Sequence, residues 1–214
     1  MAQYSFESLQ EEYKRLWSQM KVIKVPEATQ EARRVIGGKI RYKVVESRTG
    51  VPWFVVGCMH MRESGGRFDT WLHNGDPMKR NGVPVKTVHV PANRPPNPNV
   101  SWEEGAYDAI VVVEHLDLIK EWGPEHVAYA NEKFNGFGYR RPSINIPSPY
   151  LWGGTNVQKR GKYVRDGVYD ANTMDPQLGA MAVLKRVMEL DPEAHFRGKT
   201  VAAVELGGCA PACG

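Results

Sequence analysis

Between positions 63 and 87 the chain carries Glu63, Asp69, Asp76 and Thr87, a set able to bring an acid, a base and a water-orienting hydroxyl to one reaction centre. Glu63 leads the set because of where it falls. The segment PWFVVGCMHMRESGG, residues 52–66, opens on Pro52 and closes on Gly65 and Gly66, which suit the first turn and the end of a helix. Counting back from Glu63 in helical steps reaches Met59, Val56 and Val55, so the carboxyl continues an apolar stripe that faces the core. Partial burial raises a carboxyl pKa, and the negative pole at a helix C-terminus disfavours the ionised form as well. Both effects keep Glu63 protonated near neutral pH, as a general acid for glycosidic cleavage must be.

Hydrolysis with inversion also needs a base that holds water on the far face of the sugar, with carboxyls about 6.5–9.5 Å apart; a protein nucleophile stands nearer, at about 5 Å. Asp76 follows Asn74-Gly75 at a turn, where backbone hydrogen bonds keep a carboxylate ionised. It is the first candidate for the base. Asp69 is the second, although it also suits the turn after the glycines. Thr87 lies in the β-branched run from Pro84 to Val90 and is placed to orient water.

Arg62-Glu63-Ser64, closing an apolar helix ahead of glycine, resembles the Glu-Ser signature of goose-type lysozymes and soluble lytic transglycosylases. The longer run ESGGRFDTWLHNGDP, residues 63–77, is similar to a lysozyme-like family of phage and bacterial cell-wall hydrolases, and the resemblance spans roughly residues 35–190. It implies a mainly α (α+β) fold in which a lysozyme-like helical domain carries a small β-hairpin as one wall of the substrate cleft. It implies further that Glu63 is the catalytic acid of a peptidoglycan muramidase, cutting between N-acetylmuramic acid and N-acetylglucosamine. His73 and Asn74, inside the shared run, are assigned to substrate binding. Asn135-Gly136-Phe137-Gly138-Tyr139 resembles the Tyr-Asn-x-Gly motif that lytic transglycosylases set along the saccharide, with Phe134 where that motif has tyrosine. Asn135 and Tyr139 are therefore also assigned to the substrate; a glycine C-cap with an aromatic staple accounts for the same residues.

Tyr150 and Trp152, in SPYLWGG (residues 148–154), place two aromatics on a glycine-flanked loop. Such rings stack on pyranose faces, or anchor a loop into the core. The aspartate and threonine that follow the acid at fixed spacing in the commonest phage lysozymes are replaced here by Leu72 and Met78, so that triad is not transferred. Where no aspartate faces Glu63, one glutamate acts as acid and then base, and the substrate's own hydroxyl replaces water. The enzyme is then a lytic transglycosylase giving anhydro products. A non-catalytic wall-binding or virion protein of the same fold is the remaining reading.

With 214 residues, 42% hydrophobic and 24% charged, the chain fits one globular domain with a sizeable core. A net charge of +4 favours an anionic envelope polymer, whereas the lack of a Lys/Arg run interleaved with aromatics argues against nucleic acid. No apolar run is long enough to cross a bilayer, and the N-terminus reads as a charged amphipathic helix without a signal peptide. The expectation is a monomer that stays in the host bacterial cytoplasm until lysis releases it to the wall, with no stable membrane insertion, no cofactor and no metal. His60, His73 and His89 lack zinc-ligand spacing, and Asp166, Asp170, Asn172 and Asp175 lack the rhythm and glycine of a calcium loop. Of the three cysteines, Cys58 reads as a small buried hydrophobe. Cys209 and Cys213 lie in a small-residue tail, residues 205–214, as a disulfide or two free thiols.

The positioning elements follow from periodicity and punctuation. An amphipathic helix over 2–20, within an N-terminal appendage of residues 1–24, packs on a core of residues 35–190. Helices over 27–36 and 39–47 come next, the second with Ile40, Val44 and Val45 on its apolar stripe. A hairpin turning at Asn81-Gly82 is expected between 72 and 90, and the proline-rich run 91–99 rims the cleft. Ser101 with Glu104 forms a capping box for a helix that buries Ala106, Ile110, Val113 and Leu116 or Leu118 and ends at Gly123-Pro124. A further helix covers 124–133, and KRGKYVRD (159–166) reads as a solvated basic loop. Asp175-Pro176 caps a last helix carrying Leu178, Met181, Leu184, Val187 and Met188.

Overall fold

The computed structural model describes residues 4–165 and 167–198. The cysteine tail and Asp166 lie outside the described residues. The fold is mainly α, with eight α-helices and two small antiparallel hairpins among the described residues.

At its centre is α4, Trp53–Ser64, in which every residue from Trp53 to Met61 is buried. The sequence demands this: WFVVGCMHM is apolar on all sides, and such a helix must be enclosed rather than laid on a surface. The expected one-sided stripe is thus only part of a fully covered cylinder. Helices α2 (Val25–Gly37), α3 (Lys39–Thr49) and α8 (Ala180–Leu190) enclose it. Gly57 permits the close approach, because a Cβ there would stand 2.6 Å from Val35 Cγ1 and 3.0 Å from the Tyr42 ring. The helix ends where Gly65 and Gly66 turn to φ 64° and 75° and return their N–H groups to the Met61 and His60 carbonyls, a stop that left-handed glycine makes cheaply.

On α3 the buried side chains are Tyr42, Val45 and Thr49; of the expected stripe Val45 is buried, whereas Ile40 is 83% exposed and Val44 46%. Tyr42 decides the rotation. Its ring packs against Trp102, and its hydroxyl bonds His60 Nδ1 at 2.9 Å, so the helix turns its largest residue inward.

The N-terminal helix α1, Phe6–Gln19, buries Leu9, Tyr13 and Leu16 and packs along α6, Pro124–Asn135. Their interface holds a buried ionic bracket. Arg140 donates from Nε and Nη2 to the two Glu132 oxygens at 2.9 and 2.8 Å, and from Nη1 to Glu12 at 2.8 Å. The Tyr13 hydroxyl donates to Glu132 at 2.7 Å.

The first hairpin, β1 (Lys79–Arg80) with β2 (Val83–Pro84), turns at Asn81 and Gly82, both at positive φ as the tightest hairpin turn requires. It is shorter than expected because its flanks are folded into side-chain-pinned turns. The Ser101–Glu104 capping box forms as read and starts α5, Trp102–Tyr107. The chain then widens into a π-helical segment, Asp108–Val113, and breaks at His115 (φ 53°), short of the expected end at Gly123. Ala106 and Ile110 are buried, while Leu118 is 71% exposed.

Two readings near the C-terminus are corrected. The basic run KRGKYVRD supplies a second hairpin, β3 (Lys162–Arg165) with β4 (Val168–Asp170), closed by edge-on packing of Tyr139, Tyr163 and Tyr169. Asp175 does not cap α8, whose N-cap is Gly179; it accepts from the Gln177 N–H and from Lys162 instead.

The bracket between α1 and α6 sets the first prediction. Removing one partner of a buried ion pair strands the other charge. Glu132→Ala should cost about 3–5 kcal/mol in urea or thermal unfolding, whereas Glu12→Ala, at the bracket's more exposed end, should cost about 1 kcal/mol or less.

Candidate active site around Glu63

Glu63 occupies the last turn of α4, where the enclosed cylinder reaches the surface. Its Oε1 accepts a hydrogen bond from the Tyr150 hydroxyl at 2.8 Å. Burial pushes the Glu63 pKa up to about 7, against the downward pull of the Tyr150 hydrogen bond and the neighbouring Arg62 charge. The acid is therefore substantially protonated at neutral pH, the state read from its place in the sequence.

Tyr150 and Trp152 lie on α7, Pro149–Trp152, a short helix rather than an open loop. Trp152 is fully enclosed and Tyr150 is 4% exposed, so neither presents a ring for a sugar to stack upon. Tyr150 instead orients the acid, while Arg62 lies 4.6 Å over its ring and donates to the Leu178 carbonyl at 2.7 Å. The four apolar or aromatic letters of PYLW fit the core better than solvent.

A cavity of about 450 Å³ opens on Glu63, walled by His73, Asn74, Val90, Pro91, Ala109, Val113, Glu114, Lys133, Phe134, Asn135 and Gly136. Three of the expected substrate residues stand on it. Asn135 is exposed on the wall. Asn74 donates its amide to the His89 carbonyl at 2.9 Å and accepts from the Asp76 N–H at 3.0 Å, so it also pins the loop. The His73 side chain is fully enclosed; Nε2 bonds Asp108 Oδ2 at 2.8 Å, and Arg94 grips the same carboxylate through Nε at 2.8 Å and through Nη2. Burial holds the His73 pKa below its usual value despite Asp108. Tyr139, by contrast, is buried in the tyrosine cluster, where its hydroxyl accepts the Tyr163 N–H at 3.3 Å, and it is not on the wall.

The structure does not bring the expected partners of Glu63 to this cavity. Asp76 is buried away from the wall, with Oδ2 accepting the Val88 and His89 N–H groups at 2.7 and 2.9 Å and Oδ1 bonding His89 Nδ1 at 2.6 Å. Burial alone would raise its pKa, but the hydrogen bonds from His89 and Val88 together hold it below the usual range. The ionised turn aspartate read from the sequence is present, yet its lone pairs are spent on the loop. Thr87 is buried, donating to the Pro91 carbonyl at 2.5 Å and accepting the Arg94 N–H at 2.9 Å. Asp69 is exposed at a separate recess beside Arg41, Phe68 and Trp102.

No protein-family model, curated protein or solved structure matches this chain. Among the described residues, no group of three or more His, Cys, Asp or Glu side chains is arranged to hold a metal ion.

One carboxylate on the wall escaped the sequence reading. Glu114 pairs with Lys133 at 3.2 Å beside Glu63 in the same cavity. No motif marks either residue, because they meet only through the π-helical break after α5 and the last turn of α6. A protonated acid, an ion-paired carboxylate and amide-bearing walls suit proton donation to a hydroxyl-rich ligand.

The raised pKa makes Glu63 a stability liability with a definite sign. Below its ordinary pKa of 4.5 the group is protonated folded and unfolded alike. Between 4.5 and about 7 only the folded chain keeps the proton, so stability falls as pH rises, and the full penalty stands above 7. Glu63→Gln should flatten that slope and stabilise the protein above pH 7 by on the order of 2 kcal/mol in denaturant titrations. Tyr150→Phe, which removes a bond favouring the ionised form, should raise the Glu63 pKa by about one unit in carboxyl NMR titrations.

Proposed function

We propose that the protein is a peptidoglycan glycosidase of lysozyme-like type, acting on the bond between N-acetylmuramic acid and N-acetylglucosamine with Glu63 as general acid. The observation that carries this reading is a carboxyl with a pKa near 7 at the end of a buried helix, opening on a cleft of saccharide dimensions. The order of elements, an acid-bearing helix followed by a small hairpin, agrees with it, but the hairpin does not form the expected cleft wall: no residue from Lys79 to Pro84 lines the cavity, and Val90 and Pro91 beyond it do. On this reading the chain works as a monomeric endolysin, held in the host bacterial cytoplasm until lysis, with the glycan strand as its partner and no nucleic acid.

Glu63 gives its proton to the glycosidic oxygen as the bond to the anomeric carbon breaks, leaving an oxocarbenium-like centre. What happens next depends on the opposing group. With Asp69, Asp76 and Thr87 away from the cavity, the geometry favours the transglycosylase route: ionised Glu63 takes a proton from the substrate's own hydroxyl, which closes onto the anomeric carbon as an anhydro ring. A second reading rests on Glu114, the other carboxylate on the wall. If Lys133 releases it, Glu114 accepts a proton from an attacking water and the product is a reducing end.

Mass spectrometry of fragments released from purified peptidoglycan tests both. Anhydro ends that vanish in Glu63→Gln, with Glu114→Gln still active, are the expected outcome, and the loss in Glu63→Gln should be about 10²–10⁴-fold. Reducing ends abolished by either substitution would select the Glu114 route. Unchanged activity in Glu63→Gln would remove Glu63 as the acid, cleaved peptides would replace the glycosidase reading with peptide-bond hydrolysis, and no fragments at all would leave a wall-binding protein. The rate should fall on the alkaline side through about pH 7, as Glu63 loses the proton it must donate.

A further inference from the structure

A second cavity, of about 500 Å³, meets the first at Glu63, which lines both. The two are built differently. The first is walled by Val90, Pro91, Ala109, Val113 and Phe134 with two asparagines, whereas the second carries Lys24, Arg34, Arg62 and Arg67 against Glu27 and Glu31. Four cations thus face Glu27, Glu31 and the largely protonated Glu63 shared with the first cavity, and Glu31 is already engaged, because Arg34 pairs with it at 2.8 Å.

The remaining cations are held but not neutralised. Lys24 donates to the Pro176 carbonyl at 2.7 Å and Arg62 to the Leu178 carbonyl, and a carbonyl fixes a cation without cancelling its charge. Arg62 also keeps a buried Nε with no partner among the described residues. Arg67 is exposed at the mouth, and its guanidinium has no carboxylate partner among the described residues. Positive charge fixed in a groove by neutral acceptors, next to a reaction centre, is an anion site awaiting its anion.

We propose that this second cavity is a carboxylate-binding arm of the substrate cleft, seating a carboxyl group carried by the saccharide while the sugar chain crosses Glu63 into the first cavity. The proposal rests on the glycosidase reading for the identity of the saccharide, and it makes the preferred substrate an acidic glycan rather than a neutral one such as chitin. Arg67, at the solvent side and without a carboxylate partner among the described residues, is the specificity-determining residue, whereas Arg34, tied to Glu31, adds only to the positive field at the mouth. In an N-acetylmuramic acid polymer the carboxylate comes either from the lactyl ether or from the attached peptide, and both offer the planar oxygen pair that a guanidinium fork matches.

The test is binding, so that it does not depend on turnover. Calorimetric titration of the Glu63→Gln protein with a peptide-bearing muramyl tetrasaccharide should give an affinity about tenfold or more above that for chitotetraose at low salt. That preference should collapse at ~0.5 M NaCl and in the Arg34→Ala/Arg67→Ala double variant, whose chitotetraose affinity should stay as in the parent. A peptide-free muramyl tetrasaccharide, in which the lactyl carboxyl is free instead of amide-linked to the peptide, separates the two sources: retained preference means that the arm takes either carboxylate, and lost preference that it takes the peptide's alone. Equal affinity for acidic and neutral ligands, or a preference that survives the arginine substitutions, would overturn the arm. If the preference appears but wild-type protein releases no glycan fragments, the glycosidase reading fails and the anion site stands. Cleavage of peptidoglycan without the preference leaves that reading intact and removes this one.

Discussion

Everything in this molecule answers to the need to enclose α4. A helix apolar around its whole circumference cannot rest against one neighbour, and each residue from Trp53 to Met61 is covered. The cover comes from distant parts of the chain: α2 and α3 before it, α8 and part of α6 after it. Burial of aromatic and branched side chains on this scale, at about 25 cal/mol per Å² of apolar surface, makes α4 the most constrained element in the fold. The constraint has a chemical by-product. The cylinder must end somewhere, and its last turn delivers Glu63 to a rim that is dry on one side and open on the other.

Three kinds of carboxylate in this chain show how the surroundings, and not the residue type, set the chemistry. Asp76 is buried but receives two backbone N–H groups and His89, so it stays ionised and fastens a loop. Glu132 is buried more deeply, yet Arg140 and Tyr13 meet both its oxygens, and it serves as an ionic rivet. Glu63 has one hydrogen bond from a neutral hydroxyl and a single cation beside it. That is too little to offset desolvation, and an under-supported carboxyl of this kind holds a proton until a better acceptor arrives.

The parts legible in the sequence were those with local causes. The α4 boundaries follow from Pro52 and the glycine pair, the Asn81-Gly82 turn from its backbone preference, and the Ser101–Glu104 capping box from two side chains closing on each other. What escaped had long-range causes. Tyr42 rotates α3 because His60 and Trp102 wait for it, and nothing in KIRYKVVESRT announces them. Asp76 carries every local sign of a cleft carboxylate, but its lone pairs are claimed by Val88 and His89 across the hairpin. The glycines flanking Tyr150 suit a sugar platform and a core anchor alike, and the structure takes the second: its ring lies in the core while its hydroxyl meets Glu63. Glu114 and Lys133 meet only where the π-helical break and the end of α6 converge, so their pairing has no local signature.

The placement of Glu63 at the junction of two unlike cavities bears on why one acid can be sufficient. A donor that must act first as acid and then as base needs a substrate that cannot slide between the two steps, since a misplacement of about 1 Å is enough to slow a positioned reaction severely. Apolar walls and asparagine amides grip a sugar weakly and from one side. The cationic arm proposed on the other side of the same carboxyl would supply the second point of attachment, and two points on either side of a scissile bond would define its position along the strand. The burial that raises the Glu63 pKa also removes bulk water from its immediate surroundings. On the proposed reading, a cleft that holds the strand at both ends would leave an internal hydroxyl of the substrate as the nearest nucleophile to the anomeric carbon.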